Sequence, residues 1–214
     1  MQLSRKLGFW SSLLITPVGG VYFCVMAAVA MTGGLSLPPS APLQLFGGAT
    51  TLILAPLLLV LAVCLKECSP TPVKVLGAVG VAFTVLFVAM VSINRFVQLT
   101  VVQQSVISNR TEGLDRFMPY DPGSVMFALE ILGWGLFLGL AMAAFASQFG
   151  ADRLERNIRR LLLGYAVLGI TSAAGYMSAS PLAAVGFIAW GLVLYVATAL
   201  LTIWFRRSAE SLSN

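Results

Sequence analysis

The stretch VKVLGAVGVAFTVLFVAMVSINRFV, residues 73–97, decides the fold class. Between Lys74 and Arg95 it is uncharged and mainly apolar. An α-helix rises about 1.5 Å per residue and the hydrocarbon core of a bilayer is about 30 Å thick, so a stretch of this length can cross a membrane. The run is continuous and lacks the apolar–polar alternation of membrane β-strands. It therefore predicts a transmembrane helix.

Five further stretches have the same character, which predicts six spans in all. Together with the first stretch they cover residues 9–31, 43–65, 73–97, 124–149, 160–177 and 182–205, and the third has a polar extension toward Ile107. The connections are too short for a soluble domain, so residues 1–214 are expected to form a single integral membrane domain. The predicted fold is an all-α bundle of six transmembrane helices.

The composition excludes several classes of protein. The chain is 58% hydrophobic and only 10% charged, whereas soluble chains average about 45–50% apolar and about 25% charged residues. Soluble, disordered, fibrous and nucleic-acid-binding proteins are therefore excluded. The expected surroundings are the lipid bilayer, with other membrane subunits as further partners and no nucleic acid.

The chain contains no histidine, and this excludes much chemistry. Histidine-ligated haem, most catalytic zinc sites and every mechanism that pairs serine or cysteine with histidine require that residue. Cys64 and Cys68 are spaced for one helix face, but two thiols alone do not make a closed metal site. We expect no metal, no cofactor and no enzymatic activity.

The distribution of basic residues predicts the orientation of the chain. Ten basic residues lie on one side of the predicted spans: Arg5, Lys6, Lys66, Lys74, Arg153, Arg156, Arg159, Arg160, Arg206 and Arg207. Only Arg110 and Arg116 lie on the other side. Basic loops stay in the cytoplasm, so both termini are expected there, in a multi-pass protein of the bacterial inner (plasma) membrane. Cleavage of the first span as a signal peptide is the alternative, although its apolar part is long for one.

Two ionisable residues fall within the predicted spans, Glu130 in the fourth and Arg95 near the end of the third. Arg95 lies about 31 Å along its helix from the inner face and Glu130 about 28 Å, so the two have similar depths near the outer face. They can form an ion pair. Asn94 and Gln98, on the same helix as Arg95, can extend the pair into a polar patch.

These four residues are the candidate site, and their role has two interpretations. Ionisable groups within the membrane usually mark a ligand or proton site or a buried pair. A structural role is the other interpretation: Arg95 can reach the outer interface, Glu130 can be favoured by the start of its helix, or the two can join their helices. A cavity lined by these side chains would favour binding, and direct contact in a closely packed bundle would favour structure.

Two further motifs concern packing and surface charge. Gly135 and Gly139 form a GxxxG pattern, which permits close approach of membrane helices and is interpreted here as packing within the bundle. In the run ADRLERNIRRLL, Asp152 and Glu155 each precede an arginine by four residues, which predicts two ion pairs along the helix. The run is expected to be a solvated helix start, with binding of anionic lipid headgroups as the alternative.

Three strings of the sequence resemble uncharacterised small polytopic membrane proteins of bacteria and archaea. They are NRFVQLTVVQQS (residues 94–105), FALEILGWGLFLGLA (127–141) and GFIAWGLVLYVATALLTIWFRR (186–207). The resemblance implies the multi-span topology and no particular activity. The expected function is binding or transport of a small ligand at a polar site near the outer face. The alternative is a structural or regulatory subunit of a larger membrane complex.

Overall fold

The computed structural model describes residues 2–31, 40–118, 121 and 123–210, and this part of the chain is helical with no β-strand. We number its six long helices α1 to α6. The first two are α1 (Gln2–Met31) and α2 (Ala41–Glu67). The others are α3 (Lys74–Val97, π-helical Gln98–Val102, Gln103–Ile107), α4 (Val125–Ile131, π-helical Leu132–Phe137, Leu138–Ala146), α5 (Arg153–Met177) and α6 (Gly186–Ile188, π-helical Ala189–Val193, Leu194–Glu210). Short 3-10 turns lie at Thr71–Val73, Leu114–Phe117 and Pro181–Val185.

Five of the helices are long and apolar enough to cross a membrane, and these are all except α5. The helix α5 is long enough, but its first two turns carry four arginines and Glu155, which reduce its mean hydropathy. The predicted all-helical, membrane-type fold is therefore confirmed. The sixth crossing stays a prediction.

Two predicted spans begin well inside the helices that contain them. The helix α1 begins at Gln2 and α5 at Arg153, whereas the apolar pattern placed the starts at residues 9 and 160. Hydropathy detects only the apolar part of a helix, while capping determines where the backbone becomes helical. The Asp152 carboxylate accepts a hydrogen bond from the Glu155 amide (2.8 Å), which fixes the start of α5.

The six helices form a closed ring. Each packs on its neighbours in the chain, and α1 also packs on α6. The interior of the ring is filled by large side chains, among them Phe87, Phe145, Tyr165 and Phe205, each at most 2% exposed. The side chains that anchor the ring thus come from four different helices.

A polar seam closes the ring between α1 and α6, and it consists of Ser12, Thr16, Thr198 and Thr202. The hydroxyls of Thr16 and Thr198 lie 3.0 Å apart, and the Thr202 hydroxyl donates to that of Ser12 (3.0 Å). Ser12 and Thr16 also donate to carbonyls one turn earlier in α1. Without a competing solvent in an apolar interior, such hydroxyl pairs hold helices together.

The basic helix ends lie at one end of the ring. Gly8, near the start of α1, packs against Phe205 near the end of α6. Trp204, beside Phe205, donates to Glu155 in the first turn of α5 (3.1 Å). Gly77, near the start of α3, packs against Lys66 at the end of α2. The Arg5 side chain of α1 lies beside Cys68 at the end of α2, so the ends of α1, α2, α3, α5 and α6 that carry the ten basic residues are on the same side.

Candidate functional site

Arg95 and Glu130 form a direct ion pair between α3 and α4. The guanidinium Nη2 donates to Oε1 of the carboxylate. Both residues are buried, Arg95 at 4% and Glu130 at 8% exposed. Arg95 therefore turns into the bundle toward α4 and does not extend to the outer interface.

Asn94 and Gln98 complete a ring of hydrogen bonds with this pair. The Asn94 amide donates to Glu130 Oε2 (2.6 Å) and to the carbonyl of Met126 (2.9 Å). The Gln98 amide donates to Asn94 Oδ1 (2.7 Å), while its own oxygen accepts from Arg95 Nη1 (2.8 Å). We call Asn94, Arg95, Gln98 and Glu130 the polar cluster. The structure thus brings all four candidate residues together.

Trp134 is a further partner that was absent from the sequence-based candidate set. Its indole N–H donates to Glu130 Oε1 at 2.9 Å. The spacing of four residues between Glu130 and Trp134 places both on one helix face. This spacing is the sequence feature from which their contact could be predicted. The carbonyl of Trp134 in turn accepts from the Tyr165 hydroxyl of α5 (2.9 Å). The cluster is therefore tied to a third helix through Trp134.

Three π-helical turns meet at this level of the bundle. Gln98 is the first residue of the turn in α3, and Trp134 lies within the turn in α4. Trp190 lies within the turn in α6, and its ring makes an edge contact with that of Trp134, with centroids 6.5 Å apart. Such turns are often found at functional sites. No hydropathy pattern marks them, so sequence reasoning missed all three.

The carboxylate of Glu130 is fully engaged by protein donors. Oε1 accepts from Arg95 and Trp134, and Oε2 accepts from Asn94. Hydrogen bonds to an ionised group are stronger than neutral ones, and a buried ion pair is tolerable only when its remaining groups are satisfied in this way. The arrangement joins α3 to α4 through three donors to one carboxylate.

A small cavity in the described part of the molecule lies away from the polar cluster. Its volume is about 20 Å³, room for about one water molecule. Its lining is mostly apolar and comes from α2 to α6: Leu58, Leu61, Ala62, Leu65, Thr84, Leu138, Met142, Phe145, Leu162, Leu194, Ala197, Thr198 and Leu201. No member of the cluster lines it.

Gly135 and Gly139 lie at the contact between α4 and α5. A Cβ at Gly135 would lie 2.8 Å from the carbonyl oxygen of Gly169, and one at Gly169 would lie 2.7 Å from that of Gly135. A Cβ at Gly139 would lie 3.2 Å from Ile170. The GxxxG face is thus covered within the bundle by α5.

The two ion pairs expected at the start of α5 are absent, which corrects the prediction for Asp152–Arg156 and Glu155–Arg159. The ion pairs among the described residues are Lys66–Glu67 and Arg95–Glu130. Asp152 caps the helix instead, and Glu155 accepts from the amides of Gly150 (3.0 Å) and Ala151 (2.8 Å). Backbone amides that lack helical partners bind these carboxylates in place of the arginine side chains.

The remaining candidates stay apart from the cluster. In the described segments, no three histidine, cysteine, aspartate or glutamate side chains come together to hold a metal ion. Cys64 and Cys68 are free thiols at the end of α2. Neither thiol is a partner in the hydrogen bonds of the polar cluster.

Comparison with protein-family models, with curated proteins and with solved structures finds no match to this chain. The functional interpretation therefore depends on the geometry above.

Proposed function

We propose that this chain is a six-span protein of the inner (plasma) membrane that serves as a structural or regulatory subunit of a larger membrane complex. The observation that carries the proposal is the direct contact within the polar cluster: Arg95, Asn94 and Trp134 all donate to the Glu130 carboxylate. The cluster then stabilises the arrangement of α3 and α4.

Both termini are proposed to be cytoplasmic. The support is the single basic end of the ring, because membrane proteins retain arginine and lysine in the cytoplasm. Fusions of a reporter after Ser69 and after Arg110 test this. The reporter should be cytoplasmic in the first fusion and external in the second, and the reverse result would contradict the orientation.

Binding or transport of a small ligand near the outer face is the second candidate. It is favoured by the three π-helical turns around the polar cluster, since local departures from α-helical geometry are the regions where a membrane helix can bend or open. In that case the closed ring of hydrogen bonds would be the unliganded state, and a ligand would replace some of these contacts.

The mass of the assembly extracted from native membranes in a mild detergent distinguishes the two candidates. Light scattering should give a protein mass well above the 22.7 kDa of one chain, and the double variant Arg95→Leu/Glu130→Leu should assemble in the same way. Recovery of single chains would contradict the subunit proposal. A small molecule that co-purifies with the unmodified chain and is absent from the double variant would favour the ligand site.

A further inference from the structure

The start of α5 carries a net positive charge, and its two carboxylates form no ion pair with its arginines. Four exposed arginines lie in its first two turns: Arg153, Arg156, Arg159 and Arg160. The two neighbouring acids, Asp152 and Glu155, are occupied by backbone amides, and Glu155 also accepts from Trp204. Within the part of the chain that the structure describes, none of the four arginines is in an ion pair.

Three of these arginines continue directly into an exposed apolar stripe. Arg153, Arg156 and Arg160 follow the three- and four-residue spacing of one helix face, and Leu163 and Val167 extend it. Leu163 is 42% and Val167 64% exposed. Arg159 lies outside the stripe, with Nη1 3.8 Å from where a Cβ of Gly150 would be. One face of α5 thus changes from cationic to apolar within about two turns.

A notch lies in the apolar part of this stripe. Apart from the backbone of α5 itself and the two chain neighbours, no atom of the described residues lies within 4 Å of the position that a Cβ of Gly164 would occupy. Gly164 is one turn from Arg160 and adjoins Leu163, so the open space begins directly below the arginines. An unbranched hydrocarbon chain can follow such a groove on the helix surface.

We propose that this face of α5 binds an anionic phospholipid of the surrounding leaflet. The phosphate group accepts hydrogen bonds from the Arg156 and Arg160 guanidinium groups, whose planar arrangement of donors suits phosphate oxygens. An acyl chain lies along Leu163, Gly164 and Val167. The Glu155 amide takes no part, because it already donates to the Asp152 carboxylate. The inference rests on the proposed function to the extent that α5 is a membrane span.

Native mass spectrometry of the full chain in a neutral detergent tests the proposal, with phosphatidylglycerol and phosphatidylcholine as the two probes. We expect binding of phosphatidylglycerol in preference to phosphatidylcholine. Each basic residue near a membrane surface contributes about 1 kcal/mol, so removing two in Arg156→Gln/Arg160→Gln should weaken phosphatidylglycerol binding by about 30-fold. Equal binding of both lipids by the unmodified chain would overturn the proposal.

Two variants separate a defined site from general attraction to a basic surface. Arg206→Gln/Arg207→Gln removes the same charge from the same end of the ring and should leave most of the binding intact. Gly164→Leu keeps every arginine but fills the notch, and should weaken binding because the acyl chain loses its groove. The proposed site would be overturned if Arg206→Gln/Arg207→Gln weakened phosphatidylglycerol binding as much as Arg156→Gln/Arg160→Gln does. It would also be overturned if Gly164→Leu did not weaken this binding.

Failure of the lipid site can be distinguished from failure of the six-span arrangement. Val167→Cys, in a chain with its own cysteines replaced by serine, should resist a water-soluble maleimide in sealed membranes treated from either side. Labelling of this cysteine would show that α5 is outside the membrane and would overturn both proposals for this helix. Protection without lipid preference would overturn the lipid site alone.

Discussion

The indole N–H of Trp134 donates to Oε1 of Glu130, the same carboxylate oxygen that Arg95 contacts from another helix. One oxygen atom thus receives a donor from α3 and a donor from the π-helical turn of α4. The second oxygen is bound by Asn94. Glu130 is therefore the residue on which the geometry of the polar cluster depends, and loss of its charge affects each partner differently.

We expect Glu130→Gln to lower the free energy of unfolding by about 3–5 kcal/mol, because Arg95 then remains buried without a countercharge. Equilibrium unfolding in detergent measures the effect. Glu112→Gln, which alters an exposed residue of the loop after α3, is the matched control and should change little. Equal stability of the two variants would contradict the structural role of the pair.

The double variant Arg95→Leu/Glu130→Leu should be more stable than Glu130→Gln alone. Replacing both charges removes the cost of burying an unpaired ion, and apolar substitutes for a buried pair are often tolerated. The same unfolding measurement provides the comparison. A double variant as unstable as the single one would mean that the hydrogen bonds of Asn94 and Gln98 outweigh the ion pair.

Trp134→Phe should lower stability by about 1.5–3 kcal/mol, the range for a hydrogen bond to a charged group. Phenylalanine retains an aromatic ring for the edge contact with Phe87, whose centroid lies 4.7 Å away, but it has no N–H donor. Trp190→Phe is the control, since it alters the neighbouring ring and leaves the bond to Glu130 in place. The unfolding free energies of the two variants should differ clearly, and similar values would argue against the importance of this bond.

Gly135→Ala should destabilise the bundle by about 1–3 kcal/mol, the usual effect of overpacking a close contact. The added methyl would meet the backbone of α5, which cannot move aside as a flexible side chain can. Gly164→Ala places the same methyl in open space. It should be neutral or stabilising by up to about 1 kcal/mol, because alanine favours helix more than glycine does. Thermal unfolding compares the stabilities of the two variants. Equal stabilities would contradict the close contact between α4 and α5 at Gly135.

The Cys68 thiol should react with alkylating reagents only at raised pH. Burial raises its pKa, while the nearby Arg5 side chain acts in the opposite direction. Because only the thiolate reacts, the midpoint of the rate–pH profile should lie above the ordinary cysteine value of about 8.5. Arg5→Gln should move this midpoint to still higher pH, in a chain whose other cysteines are replaced by serine. Lys6→Gln is the control and should leave the midpoint unchanged, and a downward movement with Arg5→Gln would reverse the assigned effect of the arginine.

Much of this architecture can be predicted from hydropathy and residue spacing in the sequence. Continuous apolar runs of about 20 residues identify membrane-type helices because length and hydropathy together determine whether a segment can cross a bilayer. The depths of Arg95 and Glu130 follow from the rise of a helix per residue, so the positions of the two residues in the chain are enough to predict that they can pair. Asn94 and Gln98 followed from their spacing to Arg95.

The features that were not predicted depend on local competition or on packing in three dimensions. Asp152 and Glu155 have the spacing for ion pairs with arginine, but the unpaired amides at the start of α5 bind them instead. The three π-helical turns share no sequence pattern: LGWGLF and AWGLV contain glycine, whereas QLTVV contains none. The seam between Thr16 and Thr198 joins residues 182 positions apart, a separation at which sequence periodicity carries no information.

That seam also constrains the order of assembly. Ser12 and Thr16 are synthesised before Thr198 and Thr202, and the bonded pairs Thr16–Thr198 and Ser12–Thr202 are 182 and 190 positions apart. Until Thr198 and Thr202 are present, the hydroxyls of α1 have only the carbonyls of their own helix as acceptors, which they continue to use in the finished ring. These bonds satisfy the Ser12 and Thr16 hydroxyls while α1 lies in the lipid before α6 is present. The ring closes only once translation of α6 is complete, so a chain that stops before Thr198 is an open bundle with one edge of α1 uncovered.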